Sequence, residues 1–142
     1  MSTLSRLEKT LFRLQAQHAC LAHAFAAIAS RPGPVVELGL GLGRTFDHLR
    51  RHLPEREIHV FDRVNGAYED CQPDPALLHL GEIEETVPAL AGRLAGRVVL
   101  ANADLGSHDR DCNRQLALEG FEEPPRPAGL REGCYYLYRR PA

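Results

Sequence analysis

Apolar positions recur in steps of three and four from Leu4 to Ile28: Leu4, Leu7, Leu11, Leu14, Leu21, Phe25 and Ile28, with His18 in the same line. That spacing places all of them on one face of a helix. Ser5 and Glu8 have capping-box spacing and mark its start. The stretch "SRPGP", residues 30 to 34, ends it, because Pro32 and Pro34 cannot continue a helix. The stripe fits a helix packed on the domain. Its a/d spacing also fits a dimer seam, but so short a run with a histidine inside makes a weak zipper, and packing is the expectation.

Further along, the period changes. "PVVEL" reads as a buried strand, and "TFDHLRRHL" (45 to 53) as a helix with Phe46, Leu49 and Leu53 inward and Pro54 as its stop. "EIHVFD" (57 to 62) is a second strand, followed by a loop over 63 to 75 with room for one helical turn. "ALLHLGEI" (76 to 83) predicts a third strand, "EETVPALAGRLAG" a helix with Val87, Leu90 and Leu94 on one side, and "RVVLANADLG" (97 to 106) a fourth strand. Strands alternating with helices predict βαβ units and a parallel sheet. After residue 106 the chain is polar and then rich in Pro and Gly, until "CYYLYRR" (134 to 140) predicts a last strand.

Composition narrows the classes. The 142 residues suit one domain with a real core. The formal net charge of −2 gives no bulk electrostatic case for nucleic acid or an anionic membrane as partner. No apolar run is long enough to cross a bilayer, and the charged, amphipathic amino terminus does not have the form of a secretory signal. Cys20, Cys71, Cys112 and Cys134 are scattered and form no C-x-x-C pair, so free thiols, no metal site and a cytoplasmic location are expected. Most of the histidines read as surface residues of helices and strands, and His108 alone falls near the expected cleft.

The chemistry concentrates in "VVELGLGLGRTFDHLR", residues 35 to 50. Gly39, Gly41 and Gly43 alternate where a strand runs into a helix. Glycine is costly in ordered backbone, and here it lets a ligand lie against main-chain N–H groups. In an open parallel sheet such a turn borders the ligand crevice. Three ligands compete. A dinucleotide turn expects G-x-G-x-x-G, and the spacing here is G-x-G-x-G. A phosphate loop expects G-x-x-x-x-G-K-[ST], and here the glycines are one residue too close, with Arg44 in the lysine position. S-adenosylmethionine carries a sulfonium, an ammonium and no phosphate. Glu37, two residues before the first glycine, suits its cationic amino-acid end and would repel a pyrophosphate. Asp62, at the end of the second strand, can accept from both ribose hydroxyls. Glu82 and Ile83 fall over the expected adenine position, Glu82 to accept from the exocyclic amine and Ile83 to cover a ring face. Thr45, beside Arg44 at the helix start, is placed to meet the amino-acid carboxylate.

With these residues the sequence resembles a class I S-adenosylmethionine-dependent methyltransferase, and within that family a small group of bacterial proteins whose substrate is unassigned. "ELGLGLG" is similar to the family's first motif, "VFD" to its ribose-binding acid, "LGEI" to its adenine-binding acid, and "ANADLG" to its strand-four motif beside the methyl donor. The resemblance implies a Rossmann-like α/β fold, a mostly parallel, doubly wound sheet with an amino-terminal helix, in one domain over 1–142. The helix is 1–30, the cofactor-binding core 34–106, and 107–142 a shortened remainder. It implies a cofactor site of Glu37, Gly39, Gly41, Gly43, Arg44, Thr45, Asp62, Arg63, Glu82, Ile83 and Asp104. Asp104 and His108 are the candidates for catalytic roles. The family's fifth strand and its helix have no counterpart between "GSHDRDCN" and "RQLALEGF", so the sheet is expected to be shortened on the acceptor side or completed by a partner chain, a homodimer being one form. Methyl transfer to a small molecule is the expected reaction. The alternatives are a non-catalytic protein that binds S-adenosylmethionine or S-adenosylhomocysteine, and a dinucleotide- or NTP-binding enzyme.

Overall fold

The computed structural model describes residues 3–105, 121–125, 127–130 and 137–141. The chain divides into two compact units. Met1–Ala27 with Ser107–Ala142 form one, and Ile28–Gly106 the other.

In the first unit, helix α1 spans Arg6–Ile28, its last residue reaching into the second. Its start is the predicted capping box: Ser5 Oγ accepts from the Glu8 N–H at 3.2 Å, and Glu8 Oε2 accepts from the Ser5 N–H at 2.7 Å. Of the predicted stripe, Leu21 and Ile28 are buried and Phe25 is half-buried, whereas Leu7 is 79% exposed and Leu11, Leu14 and His18 are also exposed. Near the carboxyl terminus, Glu122 and Arg139 form an antiparallel bridge and an ion pair at 2.6 Å. Residues 134–136 of the strand expected over 134–140 lie outside the described residues, as do His108, Cys112 and Cys134, and within its described part Arg139 makes that bridge.

The second unit is the predicted parallel sheet. Its strands are β1 (Val35–Leu38), β2 (Ile58–Asp62), β3 (Leu78–Leu80) and β4 (Leu100–Ala103), in the order β3-β2-β1-β4. All three pairings are parallel. Helix α2 (Arg44–His52) connects β1 to β2, and α3 (Ile83–Leu94) connects β3 to β4. The chain winds outward from β1 to β3, then returns past β1 to β4. Right-handed crossovers in opposite directions place α2 and α3 on opposite faces. Under α3, Val36, Phe61 and Leu94 form a buried cluster joined by Leu38, Ile83, Val87 and Leu90. Val35, Leu49 and Val60 are also fully buried.

Two strands are shorter than expected. The third begins at Leu78 instead of residue 76, because Pro75–Leu77 form a 3-10 turn whose cap, Asp74 Oδ1, accepts from the Ala76 N–H at 2.9 Å. It ends at Leu80, and Ile83 opens α3 instead of closing the strand. The fourth strand covers Leu100–Ala103 within the expected 97 to 106. The reversal of strand order between β1 and β4 sets a crevice at their carboxyl ends, where ligands of such sheets bind.

Gly39 brings the two sides of that crevice together. It sits at φ 94°, and a Cβ added there would lie 2.5 Å from the backbone carbonyl oxygen of Asp104. Neither conformation nor space admits a side chain. Gly39→Ala is expected to lower unfolding stability by about 1–3 kcal/mol, read as a fall in the urea midpoint at unchanged slope.

Candidate functional site

The crevice is built by four segments: the turn after β1, the end of β2, the β3–α3 junction, and the end of β4. Gly39, Gly41 and Gly43 all have positive φ, at 94°, 54° and 85°. Their surroundings differ. Beside Gly39 lies the Asp104 carbonyl, and beside Gly43 lie Cys71 and Ala67. Around Gly41 nothing lies within 4 Å of an added Cβ. Two glycines therefore serve internal packing, and the middle one leaves main chain open to a ligand.

Asp62 holds this turn. Its Oδ2 accepts from the Leu40 N–H at 2.7 Å and the Gly41 N–H at 3.1 Å, and its Oδ1 accepts from the Arg63 N–H at 2.6 Å. Desolvation pushes the Asp62 carboxyl up, but the backbone donors of Leu40, Gly41, Arg63 and Val64 outweigh it and hold the group below its ordinary value. Sequence reasoning gives Asp62 to ribose alone and misses the anchoring. Oδ2 is used by the turn, so a ligand hydroxyl would approach this carboxylate from its Oδ1 side.

Glu37 is the charged residue at the heart of the site. It lies on β1 with 0% exposure. In register it faces Val60 on β2 and Asn102 on β4. Asn102 Nδ2 donates to Glu37 Oε1 at 2.7 Å. Glu37 Oε2 is buried with no hydrogen-bond partner. Burial drives the carboxyl pKa up to about 8, the Asn102 bond opposes that, and the charge of Asp104 adds to it. Asn102 is not among the expected site residues. The signal available was an amide inside an otherwise apolar strand, which has to find a polar partner.

The remaining expected residues divide. Asp104 follows β4, donates its backbone N–H to the Leu38 carbonyl at 2.9 Å, and acts electrostatically on Glu37. Glu82 is exposed at the amino end of α3, where its carbonyl accepts from Glu85 and Thr86. Ile83 is half-buried against the α3 cluster and keeps one side accessible. Arg44 is exposed at the first position of α2, and Thr45 is half-buried behind it. Arg63 is exposed. Exposed Leu42, Val64, Leu80 and Leu105 add an apolar rim on all four segments.

One histidine departs from the surface pattern. His59 is 2% exposed, in the middle of β2. Its Nε2 lies 3.2 Å from Glu57 Oε2 and its Nδ1 lies 3.1 Å from His79 Nε2. The two contacts are satisfied together when Nε2 donates to the Glu57 carboxylate and Nδ1 accepts from His79 Nε2. Desolvation, then the charges of His59 and Arg93, hold the His79 pKa below its ordinary value.

A buried acceptor without a donor, beside backbone with no side chain over it, fits a ligand that brings a cation against the turn. It does not fit a pyrophosphate. The comparisons agree. The family model for S-adenosyl-L-methionine methyltransferase matches residues 4–118. The chain is also similar to a crystal structure of an S-adenosyl-L-methionine methyl transferase from Silicibacter pomeroyi DSS-3. The two share 40% identity over 97% of this chain and 99% of that one, with a TM-score of 0.90. No curated protein matches.

Gly41→Val is expected to abolish binding of S-adenosylhomocysteine in calorimetry while the circular dichroism spectrum stays that of the parent. Asp62→Ala is expected to weaken the same binding by ~1.5–3 kcal/mol, the worth of a charged hydrogen bond. The ligand-free protein should also show a pH-dependent stability from Glu37. Between pH 4.5 and about 8 the native state keeps a proton that the unfolded chain has lost. Unfolding stability therefore falls as pH rises through that window, by at most about 1.4 kcal/mol per pH unit for one proton. Denaturant titrations across the window should give this slope for the parent and a flatter one for Glu37→Gln.

Proposed function

This chain belongs to the S-adenosyl-L-methionine methyltransferase family, and we propose that it transfers the methyl group to a small-molecule acceptor held over the carboxyl end of the sheet. S-adenosylmethionine is the methyl donor, which settles the choice among ligands that the glycine spacing leaves open. The observation that carries the site assignment is the unpartnered Glu37 Oε2, fully buried beside the open backbone at Gly41.

When bound, the donor supplies an electrophilic methyl carbon on a sulfonium. The chain's own residues bind and align. Glu37 accepts from the ammonium of the methionine end. The amide-bearing turn at 39 to 43 lets the ligand lie flush with main chain. Asp62 Oδ1 accepts from a ribose hydroxyl while Oδ2 keeps the turn closed. Glu82 accepts from the adenine amine, and the accessible side of Ile83 covers the ring. The rim of Leu42, Val64, Leu80 and Leu105 excludes water from the bound pair. Displacement at the methyl carbon needs nucleophile, carbon and leaving sulfur in line, so positioning carries most of the rate. A general base is needed only for an acceptor that is protonated at working pH. Asp104, exposed at the end of β4, is the candidate for it among the described residues.

A small acceptor is supported by the net charge of −2, which offers no attraction to a phosphate backbone. The apolar rim points the same way, toward an acceptor with an uncharged face.

Calorimetry with S-adenosylhomocysteine, NAD and ATP in turn should give binding for the first alone. Binding of NAD or ATP without the sulfur compound would overturn the assignment. With a methyl-labelled donor, label is expected in a small organic acceptor from a chemically broad panel and not in RNA, DNA or protein.

A further inference from the structure

Glu37 poses an electrostatic problem that its neighbours only half solve. Oε1 has a donor, Asn102 Nδ2 at 2.7 Å. Among the described residues, Oε2 is the one buried side-chain oxygen or nitrogen without a partner. An ionised carboxylate there would leave charge in a dry interior with a single donor, at a cost of several kcal/mol. Two arrangements relieve it: a proton on Oε2, or a cation against it.

We propose that Glu37 and Asn102 act as a proton-exchange latch, with Oε2 protonated in the free protein and deprotonated when the ligand's ammonium takes the proton's place. The proposal rests on the S-adenosylmethionine reading of the site, which supplies the ammonium. The step balances. The O–H bond at Oε2 breaks, the electron pair stays on oxygen, the proton leaves to solvent, and an ion pair forms with the incoming cation. Asn102 is the positioning residue. Its amide donates to Oε1 in both states, because that oxygen is a carbonyl in the acid and half of the charge in the anion. With Oε1 held, Oε2 is the oxygen left for the ligand.

The surroundings favour the exchange. Val60, the β2 neighbour in register, is fully buried and apolar, so it offers no competing donor. On the β4 side, Asp104 adds a negative charge that disfavours the empty, ionised state. An ammonium meeting Glu37 neutralises that field as well. Asn102 opposes the burial that drives the carboxyl up. Its removal should therefore make the proton harder to displace without removing the group that meets the ligand.

Calorimetry with S-adenosylhomocysteine, in two buffers of different ionisation heat, counts the protons released. Near neutral pH the parent protein is expected to release close to one proton per ligand bound. Its affinity should rise about tenfold per pH unit up to a pH of about 8 and then level. Glu37→Gln should release none and show no such rise. Asn102→Leu should still release a proton but bind more weakly below pH 8, and the deficit should close only above that value, as pH passes the variant's own, higher carboxyl titration. A purely structural Asn102 would give the same deficit at every pH, and that result would overturn its positioning role. Binding by the parent with no proton release and a flat pH profile would overturn the latch and leave the methyltransferase site standing. Failure of the parent to bind S-adenosylhomocysteine at all would bring down both. The parent's proton count needs no substitution, so a variant that does not fold leaves the test intact.

Discussion

The site depends on one carboxylate reaching across to one loop. Asp62, at the end of β2, accepts the backbone N–H groups of Leu40 and Gly41 from the turn after β1. Those donors belong to a segment that has left the sheet and not yet entered α2, so no ladder satisfies them. The side chain supplies the missing acceptor. It thereby fixes the turn in the left-handed conformations that its glycines permit, and it places Gly41 on the open side. The acid proposed to meet a ligand's ribose is the one that holds this turn, so both roles fall on a single hydrogen-bonded unit.

Burial arranges a second acid differently. Asp62 is surrounded by N–H donors and stays easily ionised, whereas Glu37 sits among apolar strand residues with one donor and holds its proton up to about pH 8. Two carboxylates on adjacent strands thus have opposite electrostatic characters, and the number of donors each meets decides which is which. For a ligand carrying both hydroxyls and an ammonium this division is useful: a fixed acceptor for the neutral end, a switchable one for the charged end.

Much of this was legible in the residues. The strand–glycine–helix pattern at 35 to 50 locates the turn, and the alternation of strands and helices over 34 to 106 locates the sheet. The capping box at Ser5 is visible as a spacing. Other features depend on register, which no local pattern carries. That Asn102 faces Glu37 follows from β4 lying beside β1, a long-range pairing set by the return crossover. The burial of His59 has the same origin: β3 has to lie alongside β2 before His79 can partner it. The exposure of Leu7, Leu11 and Leu14 is a different failure, since helical period tells which residues share a face but not how much of it is covered.

The close approach of Gly39 to the Asp104 backbone has a consequence for how such a protein diversifies. The donor-side loop and the first residue beyond β4 are in van der Waals register, main chain to main chain, so neither can shift without displacing the other. Insertions or deletions at the Asp104 junction would be transmitted directly to the glycine turn. Side chains around the join can change, but the path of its main chain is held by steric necessity.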